Sequence, residues 1–191
     1  SHLQNVSFDV LFLRDLRDLT GVCGLLQDKL GKSQWTVNRE PGESCPHTPL
    51  LGTWDETLKS FSPSHRKRLS YMQRRLEREF GVGFQRVTDP ADLDDAMWTM
   101  MKMHQHHWVG TGFAGAFHDP DSQQFHLETA RAFLRRGWLV LAFLRINGKV
   151  AASLYGFRVG QSLQFYLSGR SETDDFVKYS PGIVIHAYCM Q

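Results

Sequence analysis

The sequence predicts a mixed α/β (α+β) domain in which helices flank an antiparallel meander of three strands. Two tight-turn signals divide the β-rich stretch between residues 138 and 168 into three runs. Asn147-Gly148 favours a type I′ hairpin, and Gly160-Gln161 marks a second tight turn. The last run alternates apolar and polar residues, which is typical of a strand with two unlike faces. Helical periodicity before the meander and a helix start after it complete the pattern.

The turns set the limits of the three strands, which we expect at Trp138–Ile146, Lys149–Val159 and Ser162–Ser168, with Gly169 ending the third. A polar loop over 170–179 follows. Ser180-Pro181-Gly182 then opens an apolar run, and a serine N-cap with proline at the first helical position predicts a helix. The backbone N–H groups of such an end can bind anions, phosphates in particular, although the same residues also fit an ordinary capped helix.

The residues before the meander predict further elements. Ser62-Pro63 begins a helix that ends at Gly81, with one apolar stripe along it. A strand over Val82–Val87 and helices over Ala91–Trp108 and Ser122–Arg136 come next. In the first part of the chain we expect strands over Phe8–Leu13 and Trp35–Arg39, and helices over Gly21–Leu30 and Trp54–Phe61.

Composition narrows the classes of protein. The 191 residues suggest one domain or parts of two, and no apolar run is long enough to span a membrane. A net charge of +2 gives no general case for nucleic acid as a partner. The 3 cysteines are odd in number and form no CxxC pair, so a reducing, cytoplasmic setting is expected. Cys45 and His47, or His104 and His107, are too few ligands to predict a metal site.

Several residues of the second half resemble one enzyme family in their order and spacing. They are His104, Trp108, Gly112, Phe117, Phe125-His126, Gly137, Leu144, Gly148, Ala151, Ala152, Tyr155-Gly156, Tyr166, Gly169 and Ser180-Pro181-Gly182, preceded by Trp54 and Arg66. This set resembles GNAT-type acyltransferases. More narrowly, it is similar to the BioF-associated, cellulose-biosynthesis (CelD-like) acetyltransferases related to the FemAB aminoacyl transferases.

The resemblance implies tandem GNAT-like halves in an internal, truncated fragment. Residues 1–53 would end a first repeat, 54–81 would be connecting helices, and 82–191 would be the first two-thirds of a second acyltransferase domain. The chain departs from the family in lacking the usual Q/R-x-x-G-x-G/A phosphate loop. The donor is therefore left open between acetyl-CoA, another acyl-CoA and an aminoacyl group on a carrier or tRNA.

The resemblance also implies the site. Backbone N–H groups of Leu167, Ser168 and Gly169 would stabilise the oxyanion. The donor's pyrophosphate would lie at the helix start, near Ser180 and Gly182, with charge added by Lys178 or Arg170. His104 would be the base and Tyr166 a proton donor or substrate contact. Because His104 lies on an apolar stripe, a hydrogen-bonded core histidine is the alternative.

The function implied is transfer of an acyl group from acyl-CoA to an amine or sugar hydroxyl, without a metal, in exopolysaccharide or cell-envelope metabolism. The alternative is a non-catalytic GNAT-like module that binds a partner through the basic helix over 64–78. The charged faces of that helix also fit a simple solvated surface, since the rest of the chain is not basic.

Overall fold

The computed structural model of the chain describes residues 9–13, 16, 21–32, 35–42 and 44–191. They belong to two compact units, residues 1–48 and 49–191. The elements of the described residues are α1 (Val22–Gly31), α2 (Trp54–Ser60), α3 (Pro63–Glu79), β1 (Val82–Arg86), α4 (Pro90–Gly110), α5 (Pro120–Arg135), β2 (Leu139–Ile146), β3 (Lys149–Val159), β4 (Ser162–Arg170), a 3-10 helix (Asp175–Tyr179) and α6 (Pro181–Met190).

The first unit differs from the sequence prediction. The predicted helix is present as α1, but none of its side chains is buried. The predicted strand over Phe8–Leu13 is wrong for residues 9–13, which are irregular, while Phe8 lies outside the described residues. The strand over Trp35–Arg39 is also wrong. A strand needs a second strand to receive its backbone hydrogen bonds, and the described residues before position 49 form none.

The second unit is built on the predicted meander, which is confirmed. Its sheet has the order β1-β2-β3-β4 with every neighbouring pair antiparallel. The first hairpin turns through Asn147 and Gly148, with φ of 50° and 79°, as a type I′ turn requires. The third strand is longer than predicted: Gly169 pairs with Ser153 instead of ending it. A glycine in a strand often marks a close approach rather than an end.

One face of this sheet is covered by α3 and α6. Leu69 and Leu76 of α3 and Ile185 of α6 meet Leu144 and Leu154 of the strands in one buried cluster. The region over 170–179, predicted as a polar loop, also contributes to this side. Its 3-10 helix buries Phe176 and Tyr179, since both aromatic rings contact Phe80 at the end of α3.

The opposite face is covered by α4 and α5. Alternate residues of β2 point there, and Leu141 and Phe143 pack with Met97 and Met100 of α4 in a second buried cluster. Tyr155 of β3 lies in the same cluster and is fully buried. The two faces of the β2–β3 pair therefore pack against two separate hydrophobic cores.

The helix starts follow the predicted proline rule. Ser62, Asp89 and Asp119 each accept a hydrogen bond from a backbone N–H of the first turn, and proline follows each of them. The serine cap predicted for α6 is wrong. Ser180 adopts the left-handed conformation with φ 51°, and its side chain makes no cap hydrogen bond. The helix still begins at the predicted Pro181, because the proline fixes φ.

Of the helices that the structure describes, none combines the length and the apolar character needed to cross a membrane.

Candidate functional site

A pocket of about 300 Å³ lies between α4 and β4, and most of the predicted site residues line it. His104 comes from α4, and Tyr166 and Leu167 come from β4. The predicted residues Ser168, Gly169 and Arg170 complete the strand's contribution, and the remaining lining residues are His107, Trp108 and Phe165. His104 and Ser168, which are 64 positions apart in sequence, thus face one cavity.

Gly169 allows α4 to lie directly on β4. A Cβ at this position would be 2.5 Å from Met103 Cβ and 3.0 Å from the backbone nitrogen of His104. Those distances are too short for any side chain, so only glycine permits this approach. The close packing sets His104 beside the strand.

The His104 ring is held by one hydrogen bond and two aromatic neighbours, Trp108 and Phe117. Its Nδ1 lies 2.9 Å from the carbonyl oxygen of Ser168. Because a carbonyl only accepts, Nδ1 carries the proton and Nε2 has the lone pair. Burial lowers the pKa of His104, against the raising effect of the Ser168 carbonyl, and the nearby His107 lowers it further. A neutral imidazole with Nε2 as its basic atom is therefore the expected form at neutral pH.

A β-bulge places Tyr166. Tyr155 pairs with Leu167 and Gly156 pairs with Phe165, so Tyr166 is the extra residue on β4. A bulge of this kind turns a side chain away from the regular alternation. Here the Tyr166 ring, 47% exposed, lines the pocket.

The three predicted oxyanion donors face two directions. The Gly169 N–H donates to the Ser153 hydroxyl, 3.1 Å away, and therefore faces β3. Antiparallel strands alternate, so Leu167 faces β3 as well, whereas Ser168 faces the free edge, where its carbonyl meets His104. Of the three, Ser168 is the one whose N–H faces away from the sheet.

Arg170 connects the pocket to the start of α6. A Cβ on Gly182 would lie 3.8 Å from both Cβ and Cδ of Arg170, so the two residues are neighbours. The N–H groups of Ile183 and Val184 already donate to the Ser180 carbonyl. Pro181 has no N–H, which leaves Gly182 as the first-turn donor without a hydrogen-bond acceptor in the described part of the chain.

The three predicted residues after β4 lie outside the pocket lining. Ser180 and Gly182 stand at the helix start beside Arg170. Lys178 is directed elsewhere: its Nζ lies 5.1 Å from the centre of the Tyr179 ring. The Tyr179 hydroxyl donates to Glu79 of α3, so Lys178 lies on the α3 side of the unit.

A hydrogen-bond contact between His107 and Glu172 beside the pocket was not predicted. His107 contacts Glu172 through Nδ1, and this contact is the main cause of the lowered pKa of the Glu172 carboxyl. Sequence reasoning could not find it, because 65 residues separate the partners. The ring of Phe165, which lies 4.8 Å from that of His186, was also missed.

The same contacts bear on metal binding. His104 and His107 each use Nδ1 for a protein contact, with a carbonyl and a carboxylate respectively. Among the residues that the structure describes, no three histidine, cysteine or acidic side chains are grouped so that they could hold a metal ion.

Comparison with known families finds a match to the part of the chain that contains this pocket. Residues 63–191 match the model of the family described as "Acetyltransferase (GNAT) domain". The matched segment contains α3 to α6, the whole sheet and the pocket. No curated protein matches the sequence. The family model covers more than half of the chain, and the chain belongs to the GNAT acetyltransferase domain family.

Proposed function

We propose that this protein transfers an acyl group from acyl-CoA to an amine or a sugar hydroxyl, with His104 as the general base. GNAT membership supports acyl transfer from acyl-CoA in general. The observation that carries the proposal is the state of His104. Its Nδ1–H is bonded to Ser168, its pKa is lowered, and its ring lines the pocket.

The acceptor nitrogen or oxygen attacks the thioester carbonyl carbon, and a C–N or C–O bond forms while the C–S bond breaks. The acceptor's proton moves to His104 Nε2, and the CoA sulfur leaves as a thiolate that takes a proton. Tyr166 is suitably placed in the pocket to contact the acceptor or to donate that proton.

Charge on the thioester oxygen needs a hydrogen-bond donor. We assign this role to the Ser168 N–H, supported by the orientation of its backbone away from β3. The N–H groups of Leu167 and Gly169 would then hold β4 in the sheet, since their backbones face β3.

The donor's diphosphate needs a cation and free backbone N–H groups. Arg170 and Gly182 are neighbours, and a helix start favours anions. We propose that this pair, with Ser180 beside it, holds the diphosphate. Lys178 would contribute only long-range charge, because it lies against Tyr179.

We further propose that the protein belongs with the BioF-associated and CelD-like transferases, which would make a cell-envelope sugar the acceptor. This step rests on the residue resemblance alone. The same holds for the tandem organisation, with repeats divided near residues 53 and 81.

The experiment is calorimetric titration of the protein with acetyl-CoA, followed by mass-spectrometric detection of acetyl transfer. Gly182→Asp places a negative charge beside Arg170 and should weaken binding at least tenfold. Gly83→Asp, on the edge strand β1 where no atom lies within 4 Å of the added Cβ, is the matched control. His104→Asn retains a donor for the Ser168 carbonyl but loses Nε2. It should bind acetyl-CoA normally and transfer about 10²- to 10⁴-fold more slowly.

Three outcomes would contradict the proposal. Absence of acetyl-CoA binding by the unaltered protein would reject this donor and favour an aminoacyl or carrier-bound donor, or a binding module. Equal affinity in Gly182→Asp and the unaltered protein would reject the diphosphate site. Undiminished transfer by His104→Asn would reject the base and leave His104 as a core histidine.

A further inference from the structure

An aromatic cluster behind Tyr166 contains two buried polar atoms without partners. The cluster is formed by Phe117, His126, Tyr155, Phe157 and Tyr166. His126 is 6% exposed and Tyr155 is fully buried. His126 Nδ1 and the Tyr155 hydroxyl have no hydrogen-bond partner among the residues that the structure describes.

Such atoms are rare in folded proteins. A buried donor or acceptor that loses water and gains no partner carries the full cost of desolvation. Tyr155→Phe would remove that cost without changing the packing. Each of the two atoms can still form a hydrogen bond with a ligand group that reaches it.

The rings of His126 and Tyr155 are direct neighbours of the Tyr166 ring, which lines the pocket. The ring centres of His126, Tyr155 and Tyr166 form a triangle with sides of 5.4, 5.8 and 5.8 Å. Tyr166 belongs to both sites, since it also lines the pocket next to His104. Phe117 links them as well, because its ring lies 5.3 Å from His104 and 5.1 Å from His126.

From this arrangement we infer that the cluster is a recognition subsite for a hydroxyl group of the acceptor, read by Tyr155 and His126. A hydroxyl group both accepts and donates a hydrogen bond, and it can therefore use one donor and one lone pair together. The inference deepens the proposed transferase function and depends on it, because only a transferase has an acceptor substrate. It makes the acceptor a polyhydroxylated molecule such as a sugar.

The charge state of the cluster favours a neutral group over an ammonium ion. Burial lowers the pKa of His126 and raises that of Tyr155, so both side chains are uncharged at neutral pH. None of the five cluster residues carries a carboxylate. A buried cation would have only ring faces to replace its water, whereas a hydroxyl would find both of its hydrogen-bond partners. The ring faces also suit the C–H surface of a sugar.

The test measures binding directly and needs no transfer. Protein labelled with 15N-histidine is titrated with glucosamine and with cyclohexylamine, which has the same ring size and amine but no hydroxyl. The His126 resonances are assigned by their loss in His126→Asn. We expect glucosamine to shift the Nδ1 resonance of His126 in a saturable manner and cyclohexylamine to leave it unchanged.

Two variants test the assigned atoms. Tyr155→Phe removes one hydrogen bond and should weaken glucosamine binding about 3- to 10-fold. Tyr188→Phe is the matched control, because the Tyr188 hydroxyl bonds to Glu77 on the other side of the sheet. His126→Phe, followed by saturation transfer to the ligand, gives a second measurement if Tyr155→Phe does not fold. It should weaken binding to a similar extent.

The outcomes separate this inference from the proposed function. An unmoved His126 resonance, as expected if only a buried water bridges the two atoms, would overturn the subsite. Equal glucosamine affinity in Tyr155→Phe and the unaltered protein would overturn it as well. A shifted His126 resonance in a protein that binds no acetyl-CoA would support the subsite and reject acetyl-CoA as the donor. Acetyl-CoA binding without the shift would overturn the subsite and support acetyl-CoA as the donor.

Discussion

The two faces of the sheet bury side chains of different chemistry. The face under α3 and α6 is mainly aliphatic, with Leu76 and Ile185 fully buried. The face under α4 and α5 also has an apolar core, but in addition it buries two histidines, His104 and His126. An apolar core is stabilised by removal of its side chains from water, whereas a buried histidine costs free energy unless it is hydrogen-bonded. The two sides of the same strands therefore differ in polar content, and the proposed base lies on the side that buries the histidines.

The largest expected effect concerns the aliphatic face. Leu76→Ala empties a fully buried position and should lower the free energy of unfolding by about 2–5 kcal/mol. The rate of acetyl transfer per folded molecule at saturating acetyl-CoA should not change, because His104 lies on the other face. Met97→Ala, equally buried but on α4, is the matched comparison and should reduce both stability and the transfer rate. Urea denaturation and mass-spectrometric detection of transfer measure the two quantities. A loss of transfer in Leu76→Ala equal to that in Met97→Ala would remove the distinction between the faces.

The next effect concerns the contact between α4 and β4. Gly169→Ala would place a Cβ 2.5 Å from Met103 Cβ and 2.9 Å from the Ser153 hydroxyl. The helix must move away, and the free energy of unfolding should fall by about 1–3 kcal/mol. The His104–Ser168 hydrogen bond should be lost with it, together with acetyl transfer. Gly83→Ala, at an open position on β1, should do neither. Normal transfer by Gly169→Ala would show that this contact does not position His104.

Acid should destabilise the protein through its buried histidines. Burial lowers the pKa of His104, His126 and His186 below that of an exposed histidine. The unfolded chain then binds protons more readily, so stability is complete above about pH 6.5 and is lost as the pH falls toward the folded pKa values. The Tm should therefore drop between about pH 8 and pH 5. The drop should be smaller in His126→Phe, and equal pH profiles would contradict the assignment.

The smallest expected effect concerns the face under α4 and α5. Tyr155→Phe should not lower the free energy of unfolding and should raise it by about 1 kcal/mol, because it removes a buried hydroxyl that has no partner in the described residues. Tyr188→Phe loses a 2.6 Å hydrogen bond to Glu77 and should cost about 0.5–1.5 kcal/mol. Urea denaturation compares them. A larger loss in Tyr155→Phe would show that the fold itself uses that hydroxyl.

Local signals made most of the fold predictable. The turn at Asn147-Gly148 and the prolines that open α3 and α6 act within a few residues, and the structure has these elements where the sequence places them. The strand predicted over Trp35–Arg39 was wrong because an alternating pattern does not provide a partner strand. Within the second unit, β4 is longer than predicted, since Gly169 marks a close contact with α4 and not the end of the strand.

The site was predictable only in part. The resemblance named His104 and Tyr166, and both line the pocket. The Ser168 carbonyl that fixes the His104 tautomer lies 64 residues away, and the partner of His107 lies 65 residues away. Such contacts depend on how α4 packs on the sheet, which no local pattern encodes. The unpartnered atoms of His126 and Tyr155 are likewise a property of packing.

The hairpin turn between β2 and β3 has a consequence for the order of folding. The Asn147 side-chain oxygen accepts from the Gly81 N–H, and the Asn147 N–H donates to the Gly81 carbonyl. A hairpin closes within about 1–10 μs, whereas joining residues 66 positions apart must wait for chain collapse. The turn is therefore formed before the junction between α3 and β1 packs against it. Asn147→Ala should slow refolding more than it speeds unfolding, as expected of a hairpin nucleus that forms early and pairs with β1 later.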